Sequence, residues 1–90
     1  VKFEWDEKKA AHNLQKHGVS FDEAQSVFED PLFVDYYDSD HSSDELRYLV
    51  VGESRQARLL IVSYTEHDEA TRLISAREVT PKERKAYEEF

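Results

Sequence analysis

Ninety residues suffice for one small domain, near the lower limit at which a single apolar core holds without staples. Cysteine is absent, which excludes disulfides, a thiolate nucleophile and cysteine-ligated zinc, and fits a reducing cytoplasm. The net charge of −8 argues against a generic polyanion binder, yet the acidic excess lies in residues 1–45, while every arginine (47, 55, 58, 72, 77 and 84) lies in the second half.

In chain order, Lys2 to Trp5 alternate apolar and polar side chains and read as a short strand or an extended lead-in. Asp6 then has the chemistry of an N-cap, with Glu7 in the first turn complementing the helix dipole. Ala10, Ala11, Leu14 and His17 recur at helical spacing, and Gly18 is placed to close the turn, which predicts a helix over residues 6–17. Ser20-Phe21-Asp22-Glu23 is a capping-box pattern, with Val19 at the staple position before it. The stripe Phe21, Ala24, Val27 and Phe28 predicts a second helix that stops at Asp30-Pro31. Two amphipathic helices so closely joined are expected to form a hairpin across one face of a sheet.

The sheet is read from the remainder. Residues 32–37 are a plausible strand, followed by a polar, acidic loop over 38–44. Residues 45–51 predict a strand ending at Gly52, with 52–56 as a hairpin loop. Leu59-Leu60-Ile61-Val62 is a run of consecutive large apolar residues that suits the central strand, covered on both faces. A polar turn over 65–70 then leads to a last strand, residues 71–77. Alternation places Glu45, Arg47 and Leu49 on one face of the first meander strand, and Leu73, Ser75 and Arg77 on one face of the third. Thr80-Pro81-Lys82-Glu83 opens a C-terminal helix through Tyr87. The expected fold is α+β: a single domain over residues 1–90, two N-terminal helices packed on an antiparallel sheet, and a C-terminal helix at its edge. No apolar run approaches the length of a membrane span or a signal-peptide core, so neither is expected.

The candidate chemistry narrows by elimination. His12 and His17 are five apart, not the three or four that share a helix face, and no zinc or calcium spacing is present. Two glycines are too few for a phosphate-cradling loop, and nothing resembles a nucleophile elbow. What remains is acid-base chemistry on a phosphodiester, for which Glu45, Arg47, Arg77, Lys16, His17 and Tyr64 supply the residue types. RNA cleavage through its own 2′-hydroxyl needs a base for that proton, a cation for the charge gathering on phosphorus, and an acid for the departing 5′-oxygen. Each residue also has an ordinary reading. Arginines in strands usually pair or face solvent, Glu45 suits a cross-strand pair, Lys16 and His17 compensate a helix dipole, and Tyr64 is a common strand residue. Spacing alone leaves both readings open.

A resemblance adds to this. Phe3-Glu4-Trp5-Asp6-Glu7-Lys8-Lys9, then Asn13-Leu14-x-Lys16-His17-Gly18-Val19-Ser20-Phe21-x-Glu23-Ala24, Asp30-Pro31, Arg72-x-Ile74-Ser75-Ala76-Arg77 and Thr80-x-x-Glu83-Arg84-x-x-Tyr87 together resemble the BrnT family. These are toxins of a bacterial type II toxin-antitoxin system. The resemblance implies a small RelE-like ribonuclease that arrests translation, works in the cytoplasm and needs no cofactor. It also implies neutralisation by a BrnA antitoxin, whose ribbon-helix-helix segment binds DNA and represses the operon, so that the toxin reaches DNA only within a hetero-oligomer. On this pattern Arg77 and Arg47 would be the phosphate or transition-state cations, Glu45 or His17 the base, and Lys16, Tyr64, Ser75 and Arg58 would position RNA. The alternative is a non-catalytic antitoxin-binding protein that acts as co-repressor. The sequence departs from the pattern in its pI of about 4.9. Its acidic cluster over residues 29–45 is expected to face away from RNA and towards basic antitoxin segments.

Overall fold

The computed structural model describes residues 2–89. Its strands are β1 (Lys2–Glu4), β2 (Val34–Tyr37), β3 (Tyr48–Glu53), β4 (Leu59–His67) and β5 (Ala70–Glu78), and its helices α1 (Glu7–His17), α2 (Phe21–Ser26) and α3 (Pro81–Glu88). The strands form one sheet in the order β1-β5-β4-β3-β2. β4 is therefore the middle strand, and its side chains alternate between two apolar layers. Leu60, Val62 and Tyr64 join Val19, Phe21, Ala24, Val27, Val50, Leu73 and Ala76 beneath α1 and α2. Leu59 and Ile61 join Val51 on the other face, where Val79 and Tyr87 pack from the α3 side. Fully burying a side chain of this size contributes about 1.5–3 kcal/mol, so the first layer dominates the stability.

The sheet is not wholly antiparallel. β1 pairs with β5 in parallel, Phe3 opposite Thr71, which closes one end of the β5 edge with the start of the chain. β3 begins at Tyr48 rather than residue 45 and runs through Gly52 to Glu53, so Gly52 lies inside a strand and not at its end. A Cβ there would stand 3.0 Å from Val27 Cγ1, 3.1 Å from Phe33 Cβ and 3.2 Å from Asp30 Oδ2, and glycine is what lets the Asp30 segment approach. Asp30 uses that approach to accept the Glu53 backbone N–H at 2.7 Å. The β4–β5 turn shrinks to Asp68 and Glu69, both at positive φ, as a tight hairpin of right-twisted strands requires.

Two side-chain placements differ from simple periodicity. The pairing of β4 with β5 shifts between Ser63 and Tyr64, so that Ile74 is an extra residue and the alternation of β5 reverses across it. Leu73 is consequently buried under the helices, whereas Ser75 and Arg77 belong to the opposite face. In α1 the buried residue is Asn13, and Leu14 is exposed. Asn13 Nδ2 donates to Val19 O at 2.9 Å and Ala76 O at 2.8 Å, while its Oδ1 accepts from Ala76 N at 3.0 Å. An amide thus satisfies the β5 backbone beyond the reach of β1, where an apolar side chain would leave an N–H and a C=O unpaired.

The helix ends follow local chemistry. Asp6 Oδ1 accepts from Lys8 N at 2.8 Å, and Gly18, at φ 69°, donates to Leu14 O. At Thr80 and Glu83 both halves of the capping box form. At Ser20 only one does: Ser20 Oγ accepts from Glu23 N, but the Glu23 carboxylate turns inward to Arg58 and to Ser54 Oγ at 2.7 Å. Arg58 also donates to Glu78 at 3.0 Å and to the Gly18 carbonyl at 3.0 Å, joining the helical turn, the β3–β4 hairpin and β5.

Candidate functional site

The second face of the sheet is only half covered. Beside α3 an open depression of about 380 Å³ has Leu49, Ile61, Ser63, Ser75 and Arg77 as its floor, with Arg47, His17, Asp38, Asp40 and His41 around it. Register explains the floor: Ser63 lies between Leu49 and Ser75, and Ile61 lies opposite Arg77. Arg47 precedes Tyr48 and so stands one residue beyond the Tyr48–Tyr64 pair, at the end of the ladder away from Arg77 and Ile61. The bulge at Ile74 and the amide clamp of Asn13 bring the last turn of α1, with His17, to the β5 side.

The two arginines are held differently. Arg77 makes a fork with Glu83 of α3, Nη1 to Oε1 at 2.8 Å and Nη2 to Oε2 at 2.9 Å. Arg77 pulls the Glu83 carboxyl down to about 2, assisted by the Thr80 backbone N–H, and Glu83 in turn raises Arg77. Arg47 has only a loose ion pair, Nε to Glu45 Oε1 at 3.4 Å. Among the described residues its Nε is the buried side-chain polar atom without a hydrogen-bond partner. A buried donor left open in this way is costly unless something else binds it.

The loop after β2 is fastened to Arg47. Asp38 N–H donates to Arg47 O at 2.9 Å, and Arg47 N–H donates to Ser42 Oγ at 2.9 Å. Within that loop His41 Nδ1 lies 2.9 Å from Asp38 Oδ2. The acidic cluster therefore does not turn wholly away from the arginines, because Asp38 and Asp40 line the same depression. The short turn that carries them begins directly after β2.

Of the residues singled out by sequence, Arg47, Arg77, His17 and Ser75 come together here. Lys16 lies in an adjoining hollow of about 290 Å³ with Lys8, Lys9 and His12, which shares His17, Ile74 and Ser75 with the first. Glu45 is not among the lining residues and is half exposed beside Arg47. Tyr64 is buried in the layer under α2, stacked on Tyr48 and donating to Asp35 Oδ2 at 3.1 Å. Burial, followed by the Asp35 carboxylate, raises its hydroxyl far above the ordinary range. Arg58 is committed to Glu23, Glu78 and the Gly18 carbonyl. Sequence reasoning gave His41 and Asp38 no catalytic role; the available signal is an Asp three residues before a His in a segment read as a polar, acidic loop. Among the described residues no group of three His, Cys, Asp or Glu side chains is arranged to hold a metal ion.

Comparisons with known proteins point one way. A family profile described as "Ribonuclease toxin, BrnT, of type II toxin-antitoxin system" matches residues 5–83. Among solved structures, the chain is similar to the Brucella abortus ribonuclease toxin BrnT, at 24% identity and a TM-score of 0.65, over 89% of this chain and 97% of that one. No curated protein matches. The family match spans most of the chain, including α1, the whole sheet after β1 and the Glu83 that grips Arg77, and on that ground the chain belongs to the BrnT family of type II toxin-antitoxin ribonuclease toxins.

Proposed function

We propose that this chain is a metal-independent endoribonuclease, that the depression beside α3 is its active site, and that it arrests translation by cutting RNA. The observation that carries this reading is the convergence of Arg47, held by no more than a loose ion pair to Glu45, with Arg77, His17 and Ser75 on one open hollow. Two guanidiniums in a hollow partly shielded from water stabilise a phosphorane-like charge far better than they would in bulk solvent. The family's printed description supports the ribonuclease activity and the existence of an antitoxin. The finer identity of that antitoxin, a BrnA-like protein with a ribbon-helix-helix DNA-binding segment, belongs to the same proposal, as does the RelE-like mode of attack.

The chemistry runs as a transesterification. A base takes the 2′-hydroxyl proton, the 2′-oxygen forms its bond to phosphorus, the bond to the 5′-oxygen breaks, and an acid returns a proton to that oxygen. His17 is the candidate for a proton transfer, because it lines the depression and Glu45 does not. Arg47 and Arg77 bracket the phosphate, Ser75 contacts it from the floor, and Lys16 receives the flanking backbone in the adjoining hollow.

A second reading has its own observation. Glu83 occupies the Arg77 fork, as it would in a protein retained only to bind an antitoxin and tune operator binding. The two separate in one assay: single-stranded RNA incubated with the purified chain in excess EDTA. Cleavage leaving a 2′,3′-cyclic phosphate, with kcat/KM reduced about 100- to 1,000-fold by Arg47→Ala, is the expected result. Intact RNA with the folded wild-type chain establishes the non-catalytic reading instead.

A further inference from the structure

The β2–β3 loop carries a histidine-carboxylate pair outside the residues on which the BrnT resemblance was drawn. His41 Nδ1 and Asp38 Oδ2 are 2.9 Å apart, and both residues line the depression that holds Arg47, Arg77 and His17. Resting on the ribonuclease reading above, we infer that His41 is the general base of the cleavage, that Asp38 is its positioning residue, and that His17 is the opposing acid.

Three features carry this. An ionised carboxylate only accepts hydrogen bonds, so Asp38 fixes Nδ1 as the donor and leaves the Nε2 lone pair free for a proton. Asp38 is itself held, its side chain only 11% exposed and its backbone N–H donated to the Arg47 carbonyl at 2.9 Å. Ser42 Oγ bonds both the Asp38 carbonyl and the Arg47 N–H, so base, positioning residue and cation form one stitched unit. Finally, in-line displacement at phosphorus needs its two proton carriers on opposite sides of the phosphate. His41 comes from the β2–β3 loop and His17 from the end of α1, so the two imidazoles reach the sheet floor from different elements. The step balances: the 2′-hydroxyl proton goes to His41 Nε2, the 2′-oxygen bonds phosphorus as the 5′-oxygen leaves, and the His17 proton goes to that oxygen.

The charged and titratable groups around His41 are Asp38 and Asp40 on its own turn, Arg47 just before β3, Arg77 on β5 and His17 on α1. The test uses the full chain, a short RNA with one cleavable linkage, and kcat/KM measured from pH 5 to pH 9. Removing one proton carrier costs about 100- to 10,000-fold, so His41→Gln is expected to lose at least 100-fold and to flatten the acidic limb of the profile. Asp38→Asn keeps the backbone stitches and is expected to lose about tenfold with that limb displaced. His41→Ala guards against a folding artefact, since added imidazole restores its rate if the lost group is a proton carrier. A His41→Gln rate within threefold of wild type, with Arg47→Ala still inactive, overturns this inference and leaves the ribonuclease reading standing. Failure of imidazole to restore a folded His41→Ala protein also overturns it. A wild-type chain that leaves RNA intact removes both.

Discussion

Asn13 shows how one polar residue decides where a helix sits. The helical spacing of Ala10, Leu14 and His17 suggested an apolar seam, yet Leu14 faces solvent and the buried contact is an amide serving Val19 and Ala76. The reason is that β1 reaches only Ala70 to Arg72 on that side of β5, so the Ala76 N–H and C=O need another partner. Asn13→Ala leaves those groups buried and unpaired, and each such group costs on the order of 1–3 kcal/mol. Urea unfolding should therefore show a loss of at least that size. A loss under about 0.5 kcal/mol, the range of neutral surface changes, would mean that the β5 backbone is satisfied otherwise.

At the scale of elements, α3 is fastened by charge more than by packing. None of its residues is fully buried; besides Tyr87 packing on the Val51–Leu59–Ile61 layer, its ties are the Thr80–Glu83 capping box, the Glu83–Arg77 fork and the Tyr87 hydroxyl donating to Leu32 O at 3.0 Å. Glu83 titrates at about 2 in the folded chain against an ordinary 4.5. A carboxyl depressed by folding contributes stability that is complete above its unfolded value and disappears as pH falls through the folded one. Thermal stability should therefore decline from about pH 4.5 down to about pH 2, to which Glu23, lowered by Arg58, adds in the same sense. The Glu83→Gln protein should start lower at neutral pH and decline less over that window. Parallel curves for the two proteins would show that the fork contributes nothing to folding. Because the Arg77 and Glu83 side chains are both more than a third exposed, the effect is discounted for solvent screening.

For the whole molecule the question is how an acidic protein meets an anionic polymer. The structure gathers basic side chains without wholly excluding acidic ones: Lys8, Lys9, His12, Lys16 and His17 line one hollow, which shares Ile74 and Ser75 with the Arg47–Arg77 depression, where Asp38 and Asp40 also lie. The net −8 still opposes approach from a distance, which slows association without changing chemistry once RNA is bound. Asp22→Asn with Glu66→Gln removes two negative charges that line neither hollow. At low salt kcat/KM should rise severalfold with kcat unchanged, and the gain should vanish near 1 M salt, where the screening length is about 3 Å. A gain that survives high salt would point to a local contact instead.

The amino-acid sequence by itself determined the elements and the family. Leu59 to Val62 is apolar enough to suit a central strand, Gly18 and Thr80 mark helix ends by their backbone and hydroxyl chemistry, and Lys16-His17-Gly18 with Ile74-Ser75-Ala76-Arg77 carries the BrnT resemblance. These are local properties, set by side chains within a few residues of one another. Only the tertiary structure decided which side each residue faces and what it touches. An extra residue at Ile74 separated Leu73 from Ser75 and Arg77, a glycine within β3 admitted Asp30, and Glu23 left its capping box for Arg58. Tyr64 was buried beneath α2 and Arg58 was drawn to Glu23, while His41 and Asp38 entered the depression from a loop with no periodic signal. Such outcomes depend on pairings between residues far apart in the chain, where strand register and competition for hydrogen-bond partners, rather than local preference, determine the arrangement.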